Sequence, residues 1–162
     1  MSSQLIFPLT DVKELGELAV DAVVPSDEFA EVLAEGKLVG DVTVAGTIHH
    51  VDDEARFEGT ASGRWRFECT RCLAPIENPW REKIEAEAPI DGGPMDLTEE
   101  VRQSIGLAEP MKIFCKPDCK GLCVVCRQNR NEKECGHPQP QATEAGLPQT
   151  TRPRLTPRPD KG

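Results

Sequence analysis

The fold is decided by the stretch Phe57-Glu-Gly-Thr-Ala-Ser-Gly-Arg-Trp-Arg-Phe-Glu-Cys69, in which apolar or small residues alternate with polar residues over all 13 positions. This period of two is typical of an antiparallel β-strand with one buried face. An acidic turn near Asp52 separates the stretch from a preceding segment in which Val42, Val44 and Ile48 repeat the same period. The two segments therefore predict an antiparallel hairpin.

A third strand is predicted over residues 76–88, where apolar residues again recur with period two. The same residues fit a helix, but Pro75 and Pro79 disfavour a helix that begins so early. The sheet is therefore expected to be built on residues 38–88. Three glycines within it indicate bends or bulges in a curved sheet: Gly46, Gly59 and Gly63.

Two short helices complete the predicted fold. Ser26 can cap a helix over residues 27–35, and Asp96 can cap a second helix over residues 97–106. Residues 4–8 and 17–24 look extended. The sequence therefore predicts an α+β fold: a curved antiparallel β-sheet with two short helices and a Cys-rich, zinc-binding C-terminal knuckle.

The length of 162 residues suits one domain with a small appendage. We expect this domain to span residues 1–137, with the knuckle at residues 110–137. Residues 138–162 are rich in proline and poor in apolar side chains, so they are expected to form a disordered tail.

The number and the close spacing of the cysteines indicate metal binding. The seven cysteines and one C-terminal histidine give eight candidate ligands, which is the number that two tetrahedral ions require: Cys69, Cys72, Cys115, Cys119, Cys123, Cys126, Cys135 and His137. An odd number of cysteines and an intracellular setting disfavour disulfides. We expect structural zinc, as one or two ions, and no catalytic residues, because a thiolate-saturated ion has no open position.

Spacing leaves the pairing of these ligands open. The two Cys-x-x-Cys units, Cys69/Cys72 and Cys123/Cys126, could share one ion and leave Cys115, Cys119, Cys135 and His137 for a second. Alternatively, the four cysteines from Cys115 to Cys126 could hold one ion and leave Cys69/Cys72 with Cys135/His137. A single ion with spare thiols is a third arrangement.

The charge is unevenly distributed. The net charge is −9, but residues 1–109 hold 9 Lys and Arg against 23 Asp and Glu, whereas residues 110–162 hold 10 against 5. A shared ion would gather basic residues of both halves into one patch that could bind RNA or another partner. The candidates are Arg64, Arg66, Arg71, Lys112, Lys116, Lys120, Arg127 and Arg130.

Neither an N-terminal signal nor an apolar run long enough for a membrane span is evident in the sequence. We therefore expect a cytoplasmic protein without a membrane partner; its oligomeric state is left open.

Several motifs together resemble a known family. They are Glu68-Cys-Thr-Arg-Cys-Leu-Ala-Pro75, then Asp96-Leu-Thr-Glu99, then Cys115-Lys-Pro-Asp-Cys-Lys-Gly-Leu-Cys-Val-Val-Cys126 and Asn129-Arg-Asn-Glu132. In this order, across roughly residues 38–137, they are similar to the YceD family, the large-subunit ribosomal RNA accumulation proteins. The resemblance implies a non-enzymatic role in large-subunit ribosome biogenesis, with precursor large subunits, ribosomal RNA, or a ribosomal protein or assembly factor as partner. The alternatives are a zinc-ribbon transcriptional regulatory protein and a thiol redox protein.

Overall fold

The polypeptide forms six strands and two α-helices in a computed structural model, which describes residues 3–138. In chain order the elements are β1 (Ile6–Phe7), α1 (Thr10–Leu15), β2 (Glu17–Pro25), β3 (Lys37–Val51), β4 (Glu54–Glu68), β5 (Pro75–Pro89), β6 (Met95–Asp96) and α2 (Thr98–Ala108). The predicted tail lies outside the described residues, apart from Pro138. Within the described part, no helix is long and apolar enough to span a bilayer.

The sheet is open and antiparallel, with strand order β2-β3-β4-β5. Its central hairpin and the strand over residues 76–88 confirm the predictions from period two. Apolar side chains of the inner face, such as Val44, Ile48 and Phe57, are fully buried. Helix α2 packs Val101 and Ile105 against this face, so the main core lies on one side of the sheet.

Gly46 and Gly59 do not form the bulges that the sequence predicts. The register of β3 and β4 shifts only between Val39 and Thr43, and Gly46 faces Gly59 in unbroken pairing. A Cβ atom at Gly59 would lie 2.4 Å from the carbonyl oxygen of Ala45 and 2.5 Å from the Phe57 ring. The glycine pair is therefore explained by the close approach of the facing backbone and of the Phe57 ring, not by a bulge at either residue.

The helix expected over residues 27–35 is wrong. Ser26–Phe29 forms a short 3-10 helix, and the chain then turns. The amides of Ala34 and Glu35 donate to the carboxylate of Glu109, at 3.1 and 3.2 Å, where a helix would have used its own carbonyl oxygens. Tertiary contacts thus replace the local hydrogen bonds that capping and propensity favoured.

Helix α1 is not predicted from the sequence, because residues 4–8 look extended there and no element is assigned to the next eight residues. It is only six residues long, and it ends at Gly16, whose φ of 85° is accessible without strain to glycine. Its buried Val12 extends the core. The second predicted helix, over residues 97–106, is confirmed as α2.

Candidate metal centres

The first centre begins at the turn between β4 and β5. The Cys69 amide donates to the Ala74 carbonyl at 2.8 Å, and the Leu73 amide donates to the Cys69 carbonyl at 2.9 Å. Leu73 adopts a φ of 60°, which lets this short turn close without glycine. Cys69 and Cys72 are both buried in the turn, so their thiols face the protein and not the solvent.

The chain returns to this turn after α2. The amide of Thr70 donates to the carbonyl of Ile113 at 2.9 Å, and the Thr70 hydroxyl donates to the same oxygen at 2.6 Å. The guanidinium of Arg71 lies 4.4 Å from the centre of the Phe114 ring, a cation–π contact. These contacts fix the segment that carries Cys115 and Cys119 beside the turn.

Site A is the resulting group of four thiols: Cys69, Cys72, Cys115 and Cys119. The Sγ atoms of Cys69 and Cys119 are 3.7 Å apart, and those of Cys72 and Cys115 are 3.6 Å apart. A tetrahedral ion with bonds of about 2.3 Å to sulfur requires separations of roughly 3.8 Å between its ligands. The spacing of site A therefore fits a four-coordinate metal ion.

Site B is formed entirely by the knuckle: Cys123, Cys126, Cys135 and His137. Cys123 and Cys126 lie on a turn in which the Arg127 amide donates to the Cys123 carbonyl at 2.9 Å. The Cys123 thiol is 3.6 Å from Nδ1 of His137. As in site A, all four ligand atoms lie within 4.8 Å of one another, so this group could also hold a metal ion.

The two partitions considered from spacing are both wrong. Each placed Cys69/Cys72 with a pair other than Cys115/Cys119. The shared-ion hypothesis in particular joined Cys72 to Cys126, whereas the structure assigns them to different groups. The reason is the backbone pairing between Thr70 and Ile113, which brings the chain back to the turn just before Cys115.

The thiols of site A have unequal pKa values. Burial raises the pKa of Cys69, but hydrogen bonds from the backbone of Cys72, Cys115 and Arg71 outweigh it and lower this pKa to about 6. Burial and the neighbouring thiols raise the pKa of Cys115 to about 12. The pKa of Cys119 is also lowered and that of Cys72 raised. Without an ion, site A therefore keeps protons on Cys72 and Cys115 at neutral pH.

Metal binding should consequently release protons. We expect at least two protons per ion bound at site A at pH 7, because Cys72 and Cys115 must ionise to become ligands. Lowering the pH through 6 also protonates Cys69, so affinity should fall still more steeply there. Calorimetry of a Cys126→Ser variant in buffers of different ionisation enthalpy measures this number. Release of fewer than two protons per ion would contradict it.

Asn131 supports site A from outside the ligand set. Its amide nitrogen donates to the Cys119 Sγ at 3.3 Å, and its amide oxygen accepts from the Lys120 backbone at 2.9 Å. Asn129 in turn accepts from the backbone and the side chain of Asn131, at 3.0 and 2.9 Å. Both asparagines enter the sequence analysis only as part of the Asn-x-Asn-Glu motif. The spacing of the two asparagines within the Asn-x-Asn-Glu motif was the sequence signal that could have indicated their structural role.

We expect Asn131→Ala to weaken metal binding at site A by about 10- to 100-fold, the usual effect of losing an outer hydrogen bond to a ligand. Competition with a coloured chelator measures the affinity. Gln128→Ala is the matched control, because Gln128 lies in the same loop with an exposed side chain. Equal losses in the two variants, or none in Asn131→Ala, would contradict a supporting role.

The candidate RNA-binding cations do not form the single patch that a shared ion would create. Arg66 pairs with Glu77 and Lys120 pairs with Glu134. Arg71 donates to the Cys119 carbonyl at 3.1 Å, so it helps to build site A. Arg130 lies within 3.4 Å of the Lys120 carbonyl. The other four candidates are exposed: Arg64, Lys112, Lys116 and Arg127.

Comparison with known proteins gives a family match. Residues 81–154, just under half of the chain, match the model of a family described as large ribosomal RNA subunit accumulation protein YceD. An uncharacterized protein of Mycobacterium tuberculosis is 29% identical over 113 residues, which cover 67% of this chain and 53% of the relative. One of Mycobacterium leprae is 26% identical over 108 residues, covering 56% and 49%.

The chain thus spans about half the length of these curated relatives. No solved structure matches it. The matched family region contains the ligands from Cys115 to His137 and most of β5, whereas Cys69 and Cys72 precede it. The family match over residues 81–154 therefore confirms that this chain is similar to the YceD family, as the motifs around Cys119 and Asn129 predict.

Proposed function

We propose that this protein is a non-enzymatic factor in biogenesis of the large ribosomal subunit. In this proposal it acts in the cytoplasm and supports accumulation of large-subunit ribosomal RNA by binding precursor subunits, through RNA or through a ribosomal protein or assembly factor. The observation that carries the proposal is the match to a family named for that RNA.

Zinc is the ion proposed for sites A and B. Four thiolates, or three thiolates and an imidazole, are typical ligand sets of structural zinc. The sulfur separations of 3.6 and 3.7 Å in site A support this choice. Because four protein ligands leave no open position for a substrate or water, the proposed role of both ions is structural.

The two centres would hold the knuckle against the sheet. Site A joins the turn after β4 to the segment after α2, two parts of the chain that are more than 40 residues apart. Site B then closes the loop from Cys123 to His137 upon itself. The proposed function therefore depends on the surfaces that these centres position, and the metal ions perform no chemistry of their own.

Depletion of the protein in its native host tests the proposed function. We expect sucrose-gradient profiles with fewer mature large subunits and more precursor particles, restored by expression of the full chain. The tagged protein should co-sediment with precursor large subunits. Normal profiles together with no co-sedimentation would reject the assembly role.

A further inference from the structure

Two arginines on the outer face of the sheet are available to a ligand. Arg64 on β4 pairs with Pro79 on β5, and Arg81 on β5 pairs with Ser62 on β4. The two arginines are therefore diagonal neighbours on one face, about 7 Å apart at their Cβ atoms. Both are exposed, and neither forms an ion pair within residues 3–138.

The other cations of β4 and β5 on this face are neutralised. Arg56 pairs with Glu87 at 2.7 Å. Arg66 pairs with Glu77, and Lys83 pairs with Glu85. The unpaired positive charge of β4 and β5 is thus concentrated at Arg64 and Arg81, at the end of the sheet nearest site A. On β3, Lys37 lies opposite Arg66 and is a further cation without an ion pair within residues 3–138.

A cavity of about 400 Å³ lies at these arginines. Its lining includes Thr43 and Ser62 beside the two arginines. Guanidinium and hydroxyl groups are the side chains that proteins commonly use to contact phosphate oxygens. Asp41, which lies at the register shift between Val39 and Thr43, is the acidic member of the lining. With the two arginines it gives the lining a net charge of one positive unit.

A second cavity, of about 520 Å³, lies on the other side of β5, which is an edge strand of the sheet. Its lining includes Trp65, Asn78, Lys112 and Phe114. The Phe114 ring is 38% exposed. An aromatic ring beside an amide and an ammonium group suits a nucleobase, which can stack and form hydrogen bonds at once.

Pro79 lines both cavities, so they adjoin at this residue. We propose that this end of the sheet binds single-stranded RNA across β5, with phosphates at Arg64 and Arg81 and an unstacked base at Phe114. The inference rests on the proposed function, because ribosomal RNA is the partner class named there. A single strand is required, since bases in a duplex remain stacked and cannot enter the second cavity.

Binding of a fluorescein-labelled, 12-nucleotide single-stranded RNA to the full metal-loaded chain, followed by anisotropy, tests the proposal. We expect the double variant Arg64→Gln/Arg81→Gln to bind at least about 10-fold more weakly, and the slope of log affinity against log salt to fall in magnitude by roughly 1.4, or about 0.7 per lost phosphate contact. Arg56→Gln is the matched control, on the same strand and face as Arg64; its affinity should stay within about twofold of the parent.

Asp41→Asn should have the opposite effect. Removal of its negative charge beside the arginines should raise affinity about two- to threefold at low salt. The chain has two tryptophans, and each lines one cavity: Trp80 the first and Trp65 the second. Binding of RNA should therefore also change the intrinsic fluorescence. The same RNA annealed to its complement should bind more weakly.

Parent-like affinity of the double variant, with unchanged thermal unfolding, would overturn the proposal. Equal binding of the duplex would overturn the single-strand assignment. If the parent binds no RNA but the double variant loses co-sedimentation with precursor subunits, the surface binds a protein and the RNA proposal is wrong. RNA binding as expected, with normal ribosome profiles after depletion and no co-sedimentation with precursor subunits, would support this surface and reject the proposed function alone.

Discussion

Cys119→Ser and Cys126→Ser should each remove one metal ion, and a different one. The parent chain should bind two divalent ions, because the structure forms two separate groups of four ligands. Cys119 belongs to site A and Cys126 to site B, so each variant should retain the ion of the other site. Metal analysis after gel filtration gives the number, and cobalt substitution distinguishes a site with four sulfurs from one with three sulfurs and an imidazole.

The loss of site A should have the larger structural effect. Structural zinc contributes about 10–16 kcal/mol of folding free energy in small zinc-finger peptides. Replacement of one ligand by serine should therefore destabilise the part of the chain that the ion holds. We expect the knuckle to lose protection from amide hydrogen exchange in Cys119→Ser while the sheet keeps it, because the buried side chains of the sheet form a separate cluster from Cys69, Cys72 and Cys119.

Lys116→Ser is the control for these variants. Lys116 lies between Cys115 and Cys119, is exposed and supplies no ligand, so two ions should remain bound. Loss of the same ion from Cys72→Ser and Cys126→Ser would show that the two Cys-x-x-Cys units share an ion after all, and it would contradict the grouping in the structure.

Gly59→Ala should destabilise the sheet by at least about 2 kcal/mol, since the added methyl group must be accommodated by strained packing. Its Cβ atom would lie 2.4 Å from a backbone oxygen of the neighbouring strand and 2.9 Å from the Gly46 Cα atom. Neither backbone atom can move away without breaking the pairing of β3 and β4. Urea unfolding of the metal-loaded chain, followed by circular dichroism, measures the change.

Gly106→Ala provides the matched control for Gly59→Ala. Gly106 lies within α2, and a Cβ atom there would meet Val32 at an ordinary contact distance of 3.7 Å. Replacement of glycine by alanine inside a helix should stabilise the chain by about 0.5–1 kcal/mol. Similar changes in the two variants would contradict the close approach of the strands at Gly59.

Several features of the fold could be predicted because they depend on residues close together in sequence. Strict alternation from Phe57 to Cys69 specifies a strand and its buried face, whichever element covers that face. The same argument explains why β5 was predicted correctly in spite of its helix-forming residues. In contrast, the turn after Phe29 depends on Glu109, a residue about 75 positions away, and no local pattern contains that information.

The candidate metal centres could also be predicted only in part. Seven cysteines and His137, with their spacing, were sufficient for the sequence to indicate eight candidate ligands, enough for two tetrahedral ions, but they left the number of ions open. Only the tertiary structure decided that Cys115 and Cys119 join Cys69 and Cys72, because the hydrogen bond between Thr70 and Ile113 links segments that sequence spacing treats as independent. It likewise decided that Arg71 builds site A while Arg64 stays free of ion pairs within the described chain, since charge alone does not reveal which side chains have partners.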